Sequence, residues 1–338
     1  MRKGLFLSMC FILTGMFSTP CLAEKAYRID VLQVTSIPPY QSAYMGFVSE
    51  LEKNGIVQGK NLTINRTVID VGVKNPGLWR KFKALIRIKR EVSRIAEEKP
   101  DLVLTIGTSA TRHAKDGIVD EGIPLVFTAV ANPVAAGCTS MTEAGPGVTG
   151  ATLHANMTGL LGIVKQAFPK VNTLGIIHSD EDNAVAQAQE ATKEGRLQGL
   201  TFLTRQVSRN DHITPAAEEL IARGVQAFVI PLDTYYAVRN YEPCRELAEV
   251  SKKFKTPNIS FVLLKIPGSV LYLGTDFGDV GLLSGRQAVK ILKEGVKPET
   301  LPIAQQQEPS IMMDEQMIKA LDLRIPCEVL KGAKSITQ

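Results

Sequence analysis

The sequence predicts an α/β protein made of two similar lobes, each a doubly wound parallel sheet, with a ligand cleft between them. Three observations support this. Strands and amphipathic helices alternate, several strands are short and almost wholly apolar, and the alternation restarts after a glycine-rich segment at 145–150. Alternation favours an open parallel sheet covered on both faces, and apolar strands are typical of its centre. The 338 residues are enough for two domains of ordinary size.

The first half of the chain follows this pattern. The predicted strands are 27–34, 61–69, 101–106 and 124–128, and the predicted helices are 41–54, 78–98 and 108–116. Tyr44, Phe47, Val48 and Leu51 recur at the spacing of one helix face, and Gly55 ends that helix. The segment 145–150 then separates this half from the next.

The second half repeats the pattern and ends with elements expected to cross between the lobes. The predicted strands are 173–178, 201–207, 227–231, 258–262 and 270–275, and the predicted helices are 182–198, 211–223, 234–254 and 278–294. A strand after Pro302 and a short helix at 314–321 follow. We expect an N-terminal lobe of 24–150 plus about 275–297, and a C-terminal lobe of 151–274 plus about 298–338.

Residues 1–23 have the features of a secretory signal peptide. Arg2 and Lys3 precede an apolar run, and Cys21-Leu22-Ala23 precedes an expected cleavage site before Glu24. The run is shorter than the roughly 20 apolar residues that span a bilayer. The mature protein is therefore expected in the periplasm. An uncleaved membrane anchor and a lipoprotein acylated at Cys21 are the alternatives, the latter disfavoured by Pro20.

Composition and motifs argue against several functional classes. A net charge of +5 is too small to indicate a nucleic-acid partner. The sequence has no metal-binding spacing, nucleophile elbow or phosphate-binding loop, so it predicts no metal, no cofactor and no enzyme. Cys138, Cys244 and Cys327 follow the predicted signal peptide, and an odd number leaves at least one free thiol.

The basic stretch at 80–94 has apolar residues at mostly helical spacing. Its cations are therefore interpreted as the solvated face of an amphipathic helix, with membrane docking as the alternative.

Candidate ligand-binding residues in the first half follow the carboxyl ends of predicted strands, where open α/β sheets bind their ligands. Gly107 permits a tight turn, and Thr108 or Ser109 could cap the helix that follows, whose N-terminus suits a carboxylate. The first-half candidates are Ser36, Tyr40, Gly107, Thr108, Ser109 and Asn132.

Candidates in the second half are Asn183, Asp233, Thr234 and Asp276. Either aspartate could bind an ammonium group through charge-assisted hydrogen bonds, although helix capping explains each position equally well. If Asp233 binds such a group, Asp233→Ala should weaken an amino-bearing ligand by about 1.5–3 kcal/mol.

These segments together resemble a known family. Gly107-Thr108-Ser109-Ala110, Ala131-Asn132-Pro133, Val148-Thr149-Gly150 and Pro231-Leu232-Asp233 occur in the order and approximate spacing of the ABC-transporter substrate-binding proteins with the type I periplasmic fold. Characterised members bind tryptophan and other aromatic amino acids. The chain departs from the family pattern at 35–40 and 179–182, in ligand-contacting loops.

The resemblance implies that two lobes close on a small ligand and deliver it to a membrane permease. It implies that Thr108 and Ser109 bind the ligand carboxylate with Asn132 nearby, and that Asn183, Asp233 and Asp276 bind polar or ammonium groups. The leading hypothesis is a monomeric periplasmic binding protein for a zwitterionic, amino-acid-like ligand of an ABC importer. The alternative is a sensor that presents its closed state to a membrane kinase. A secreted enzyme is disfavoured, since no nucleophile with a neighbouring base is visible.

Overall fold

The computed structural model describes residues 25–69 and 78–336, with only the backbone described at 78–81, so the predicted signal peptide lies outside the described residues. The strands are β1 (Tyr27–Val34), β2 (Leu62–Ile69), β3 (Leu102–Ile106), β4 (Leu125–Val130), β5 (Val148–Thr152), β6 (Thr173–His178), β7 (Thr201–Gln206), β8 (Ala227–Ile230), β9 (Asn258–Ser260), β10 (Leu271–Gly274), β11 (Ala304–Gln305), β12 (Ser310–Met313) and β13 (Ala333–Ser335).

The helices are α1 (Pro38–Lys53), α2 (Leu78–Glu98), α3 (Thr108–Val119), α4 (Met157–Ala167), α5 (Asp182–Leu197), α6 (Thr214–Ala222), α7 (Val238–Phe254), α8 (Phe277–Glu294), α9 (Glu315–Ala320) and α10 (Cys327–Lys331). Short 3₁₀ turns lie at Thr234–Ala237 and Pro298–Thr300. None of the helices described is long and apolar enough to cross a bilayer.

The strands form two sheets, which confirms the predicted two-lobed α/β fold. The first sheet has six parallel strands in the order β11-β5-β4-β3-β1-β2. The second has seven in the order β13-β12-β10-β9-β8-β6-β7, parallel except where β12 runs antiparallel to β10. We call the first sheet with α1, α2, α3 and α8 the first lobe, and the second sheet with the remaining helices the second lobe.

Each sheet is buried on both faces, which explains why its central strands are apolar throughout. In the first lobe, Leu32 and Phe127 belong to one core cluster, and Ile29 and Val126 belong to the cluster on the opposite face. The second sheet likewise separates two buried clusters, one packed under α4 and α5 and the other under α6 and α7.

The chain crosses between the lobes in three places: between β5 and α4, between β10 and α8, and between β11 and β12. The third crossing is hydrogen-bonded to the other two. Gln305 Nε2 donates to His154 O at 2.8 Å, and Asp276 N donates to Gln306 Oε1 at 2.9 Å. The sequence placed the chain after about 298 with the C-terminal lobe, whereas Ala304 and Gln305 pair with β5 in the first sheet.

Helices α1 and α8 pack closely in the first lobe because glycines lie at their contact. A Cβ atom on Gly281 would lie 2.1 Å from Ala43 O, and one on Gly46 would lie 2.2 Å from Gly278 O. No side chain can occupy those positions unless the helices move apart. Helix α8 is thereby held on the first lobe although it directly follows a strand of the second sheet.

The structure differs from the sequence prediction at several elements. The segment 145–150 was predicted to separate the halves, but Val148–Thr152 forms β5, and the helix α4 after it was not predicted. The helix predicted at 234–254 begins as a 3₁₀ turn, and three residues of α7 near its start, Arg239, Asn240 and Tyr241, have left-handed backbone angles.

Candidate functional site

A cavity of about 310 Å³ lies between the lobes, at the end of the sheets where the carboxyl ends of the strands meet the crossings. Its lining comprises Ala131, Asn132, Met141, Leu153, His154, Ala155, Asn183, Ala186, Gln187, Glu190, Leu232, Phe261, Val262, Leu263, Thr275 and Phe277. Both lobes and two crossings contribute residues. The position is the one expected for a ligand in an open α/β protein.

The first lobe contributes mainly the loop after β4. Asn132 Oδ1 accepts a hydrogen bond from Ala135 N at 3.0 Å, which holds the loop in a tight turn. Ala131 N donates to Thr108 Oγ1 at 3.3 Å, which ties the loop to the start of α3. This wall therefore presents backbone and one amide side chain to the cavity.

The second lobe contributes one face of α5. Asn183, Gln187 and Glu190 lie at i, i+4 and i+7, the spacing of residues on a single helix face. Gln187 Oε1 accepts from Leu232 N at 2.7 Å, which fixes the helix against the loop after β8. The side chain of Asn183 has no hydrogen-bond partner among the described residues. This wall therefore presents polar side chains.

Glu190 and His154 carry the ionisable side chains among the described lining residues. Glu190 Oε1 lies 3.5 Å from His154 Nε2, and both side chains are partly exposed. The backbone of His154 is held by Thr152 Oγ1, which accepts from His154 N at 3.0 Å. The pair therefore joins the second lobe to the first crossing.

The remaining wall is apolar and partly aromatic. Leu153, Phe261, Leu263 and Phe277 line it. Behind Phe277 lies Tyr40, with ring centroids 6.4 Å apart. This wall would suit an apolar or aromatic part of a ligand.

Several first-lobe candidates lie just behind this lining rather than in it. The hydroxyl of Tyr40 lies against the backbone of Gly107, where an added Cβ would be 2.4 Å from the oxygen, and burial raises the pKa of Tyr40 above its ordinary value. Gly107 has a φ of +87°, which favours glycine. Thr108 and Ser109 form the first turn of α3, whose N-cap makes no side-chain hydrogen bond. Ser36 is exposed in the loop before α1.

The carboxylate of Asp233 is engaged by hydrogen bonds from within the protein. Its buried carboxylate accepts from Ser179 N at 2.6 Å, Ser179 Oγ at 2.8 Å and Tyr235 N at 2.8 Å. These bonds cap the 3₁₀ turn and fix the loop after β6. Thr234 is exposed and donates its hydroxyl to Glu181.

Asp276 caps α8. Its Oδ1 accepts from Gly278 N at 2.7 Å and Asp279 N at 3.3 Å. Its neighbours Thr275 and Phe277 line the cavity, but Asp276 itself does not. Of the ten candidate residues, Asn132 and Asn183 are thus the two that line it. Ligand binding by all ten stays a prediction.

Sequence reasoning missed four polar lining residues: His154, Gln187, Glu190 and Thr275. His154 lies on a crossing whose flanking elements, β5 and α4, were not predicted. Gln187 and Glu190 lie one and two turns beyond Asn183, so they are not adjacent to a strand end. Reading the polar positions of α5 at helical spacing from Asn183 could have found both.

Away from the cavity, one cluster of metal-type ligands occurs among the described residues: His212, Glu242 and Glu246. Its groups already bind one another or their neighbours. His212 Nδ1 lies 2.5 Å from Glu246 Oε1, Ile213 N donates to Glu246 Oε2 at 3.0 Å, and Glu242 pairs with Arg239. These surface hydrogen bonds and ion pairs account for the position of the three side chains without a metal ion.

Comparison with known proteins identifies the family. A family model described as ABC transporter substrate binding protein matches residues 28–337. A tyrosine-binding protein of Clostridioides difficile (strain R20291) is 23% identical over 317 residues, which cover 93% of this chain and 86% of that protein.

Solved structures share the fold. The ligand-free, open form of a Clostridium difficile substrate-binding protein with adhesive properties matches with a TM-score of 0.77 and 23% identity, covering 92% of this chain and 99% of its own. A Streptococcus pneumoniae ABC domain in complex with L-Trp matches with a TM-score of 0.65 and 23% identity, covering 91% and 99%. Because the family model spans nearly the whole described chain, this protein belongs to the ABC transporter substrate-binding protein family.

Proposed function

We propose that this protein is the extracytoplasmic solute-binding component of an ABC importer, and that it binds a small zwitterionic, amino-acid-like ligand, with an aromatic side chain favoured. The family membership supports the transport role, and the predicted signal peptide at 1–23 supports the location. The ligand-loaded form is presented to a permease in the membrane. Binding requires no covalent chemistry.

The cavity between the lobes carries the proposal. Its volume of about 310 Å³ is at the lower end of the range for small-molecule sites, about 300–1,000 Å³, which suits a ligand of amino-acid size. Asn132 and Asn183 line the cavity from different lobes, so a ligand that bonds to both would favour lobe closure.

The two kinds of wall support an amphipathic ligand. Asn183, Gln187 and Glu190 offer polar contacts, whereas Phe261 and Phe277 offer apolar and aromatic ones. The relatives described as tyrosine-binding or bound to L-Trp are consistent with this class. The first turn of α3, with Thr108 and Ser109, lies one hydrogen bond behind Ala131 and is the proposed site of the ligand carboxylate.

Closure is proposed to occur at the three crossings. Hinges are usually a few residues at the ends of elements, and the crossings meet that description. Gln305 and Gln306 join the crossings to one another, so the three would bend together.

A ligand screen on purified protein tests the proposal. Residues 24–338 would be unfolded and refolded to remove carried-over ligand, then screened by thermal shift against amino acids, aromatic acids, short peptides, sugars and purines. A ligand at 100 times its dissociation constant should add about 2.7 kcal/mol of stability. A shift with L-tyrosine or L-tryptophan would support the ligand class. A shift with a sugar or purine alone would contradict it while leaving solute binding intact.

A further inference from the structure

We infer that Glu190, rather than either strand-end aspartate, is the residue that binds the ligand's ammonium group and thereby selects amine-bearing solutes. This inference rests on the proposed function, since it assigns a role within the same cavity. It follows from the charges of the cavity lining, from the hydrogen bonds that already engage the two aspartates, and from the free acceptor capacity of Glu190.

The first step concerns charge. An ammonium group that leaves water for a closed cavity needs an anionic partner, because burial of an unpaired charge is costly. Among the described residues that line the cavity, Glu190 is the one with a carboxylate. The amides of Asn132, Asn183 and Gln187 can orient a ligand but cannot neutralise its charge.

The second step concerns the aspartates. Both oxygens of Asp233 accept hydrogen bonds, from Ser179 and Tyr235, and the side chain is buried behind the lining. Asp276 accepts two backbone bonds through Oδ1 at the start of α8. Turning the Asp233 carboxylate toward a ligand would leave buried donors without an acceptor, and Asp276, whose Oδ1 holds the first turn of α8, does not line the cavity.

The third step concerns Glu190 itself. Its contact with His154 is long, at 3.5 Å, and its side chain is partly exposed. No hydrogen bond within the described residues engages its carboxylate oxygens. Glu190 can therefore accept a charge-assisted hydrogen bond from an ammonium group without breaking a strong one.

His154 gives this contact a link to closure. The residue lies on the first crossing, and its carbonyl accepts at 2.8 Å from Nε2 of Gln305, the last residue of β11 before the third crossing. Because Glu190 Oε1 lies 3.5 Å from His154 Nε2, a ligand group bound to Glu190 would lie close to this imidazole. The ammonium contact is thus made next to the crossings, where it can favour the backbone change that closes the lobes.

Calorimetric titration with matched ligand pairs tests the inference. The probes are L-tyrosine with 3-(4-hydroxyphenyl)propionate, and L-tryptophan with 3-indolepropionate, each pair differing by the amino group. We expect Glu190→Gln to weaken binding of the amino acids by roughly ten- to a hundredfold while leaving the amine-free acids within about threefold. Glu190→Asp, which keeps the charge, should retain part of the preference for the amine.

Glu194→Gln is the matched control. Glu194 lies one turn further along α5 and contacts Thr158 and Lys193 outside the cavity, so its loss should not change the preference. Melting temperatures of all variants would verify that they fold.

If Glu190→Gln keeps the full preference for the amine, the inference is overturned, and loss of that preference in Asp276→Asn or Asp233→Asn would place the ammonium group there instead. If the unmutated protein binds only the amine-free acids, both the inference and the zwitterionic ligand class fail. If it binds none of the four probes, the aromatic ligand class fails and takes the inference with it.

Discussion

The two lobes share a plan but bring different chemistry to the cleft. The first lobe presents backbone and small groups around Ala131 and Asn132, and it is held together by close glycine contacts between α1 and α8. The second lobe presents the polar face of α5, and it is held at its strand ends by the buried carboxylate of Asp233. Tight packing stabilises one side of the cleft, and hydrogen bonds to a buried charge stabilise the other.

This difference separates two kinds of polar residue that a sequence cannot distinguish. Acids at strand ends, such as Asp233 and Asp276, cap turns and helices. Polar residues further along a helix, such as Glu190, remain available to a ligand. A strand-end acid in this fold is thus as much a structural element as a binding one.

The largest expected effect is the loss of stability when the Asp233 carboxylate of the second lobe is removed. Asp233→Ala removes the acceptor for Ser179 N, Ser179 Oγ and Tyr235 N, and should lower the free energy of unfolding by about 3 kcal/mol, because hydrogen bonds to a charged group contribute about 1.5–3 kcal/mol each and are not additive. Urea denaturation measures it. Asp116→Ala, which removes a highly exposed acid of the first lobe, should change stability by less than about 0.5 kcal/mol.

The affinity of the Asp233→Ala variant for L-tyrosine decides whether Asp233 caps the turn or binds the ligand. Unchanged stability combined with weaker L-tyrosine binding would return Asp233 to the site as an ammonium-binding residue. Lower stability with normal binding by the folded fraction would assign it to the cap alone.

The corresponding change in the first lobe is steric. Gly281→Ala would place a Cβ 2.1 Å from Ala43 O, so α1 and α8 must separate, and we expect a loss of about 2 kcal/mol in urea denaturation. Gly162→Ala on α4 is the control, because its Cβ would meet nothing within 4 Å. It should gain about 0.5–1 kcal/mol, as alanine favours the helix. Equal stability of both variants would mean that the α1–α8 contact has room to relax.

Much of the fold could be predicted because its signals are local. Apolar periodicity gave β1, α2 and β6 with the observed bounds. Strand β5 could not be found this way, since Thr149 and Gly150 read as a turn. Its pairing with β4 depends on Gly150, where a Cβ would lie 2.3 Å from Phe127 O. The need for a glycine at this position arises from the contact between the two strands, so it cannot be read from the local sequence.

The site was less predictable for a related reason. The strand-end rule found Asn132 and Asn183 but does not extend two turns into α5 to Glu190. Whether Asp233 is available depends on Ser179, which lies 54 residues away in the sequence. Tertiary pairing therefore decides which polar groups the fold uses and which it leaves to a ligand.

A smaller effect is expected where the lobes join. Gln306→Ala removes the acceptor for Asp276 N and the donor to Glu308 O and Ser310 Oγ, and should cost about 1 kcal/mol. It should also broaden the range of lobe arrangements, seen as a larger radius of gyration in solution scattering. Gln307→Ala is the neighbouring control, since that exposed side chain donates a long hydrogen bond, 3.4 Å, to Gln305 O within its own segment. Identical scattering of the two variants would argue against a role for Gln306 in coupling the crossings.

The smallest expected effect is a difference between the lobes in the reactivity of their cysteines. All three cysteines of the described chain are free. Burial raises the pKa of Cys138 in the first lobe to about 11 and that of Cys244 in the second to about 12, whereas Cys327 is exposed. Because the thiolate is the reactive form, alkylation at pH 8 should modify Cys327 quickly and the other two only as their lobes open. Mass spectrometry of residues 24–338 over time would give each rate.

We expect Cys138 to react before Cys244, because Cys138 retains 7% exposure while Cys244 is fully buried and donates to Tyr236 O at 3.2 Å. Denatured protein should show three reactive thiols, and a smaller number would reveal a disulfide. If Cys244 reacts first, this prediction is wrong, and the second lobe opens more readily around its cysteine than the first lobe does.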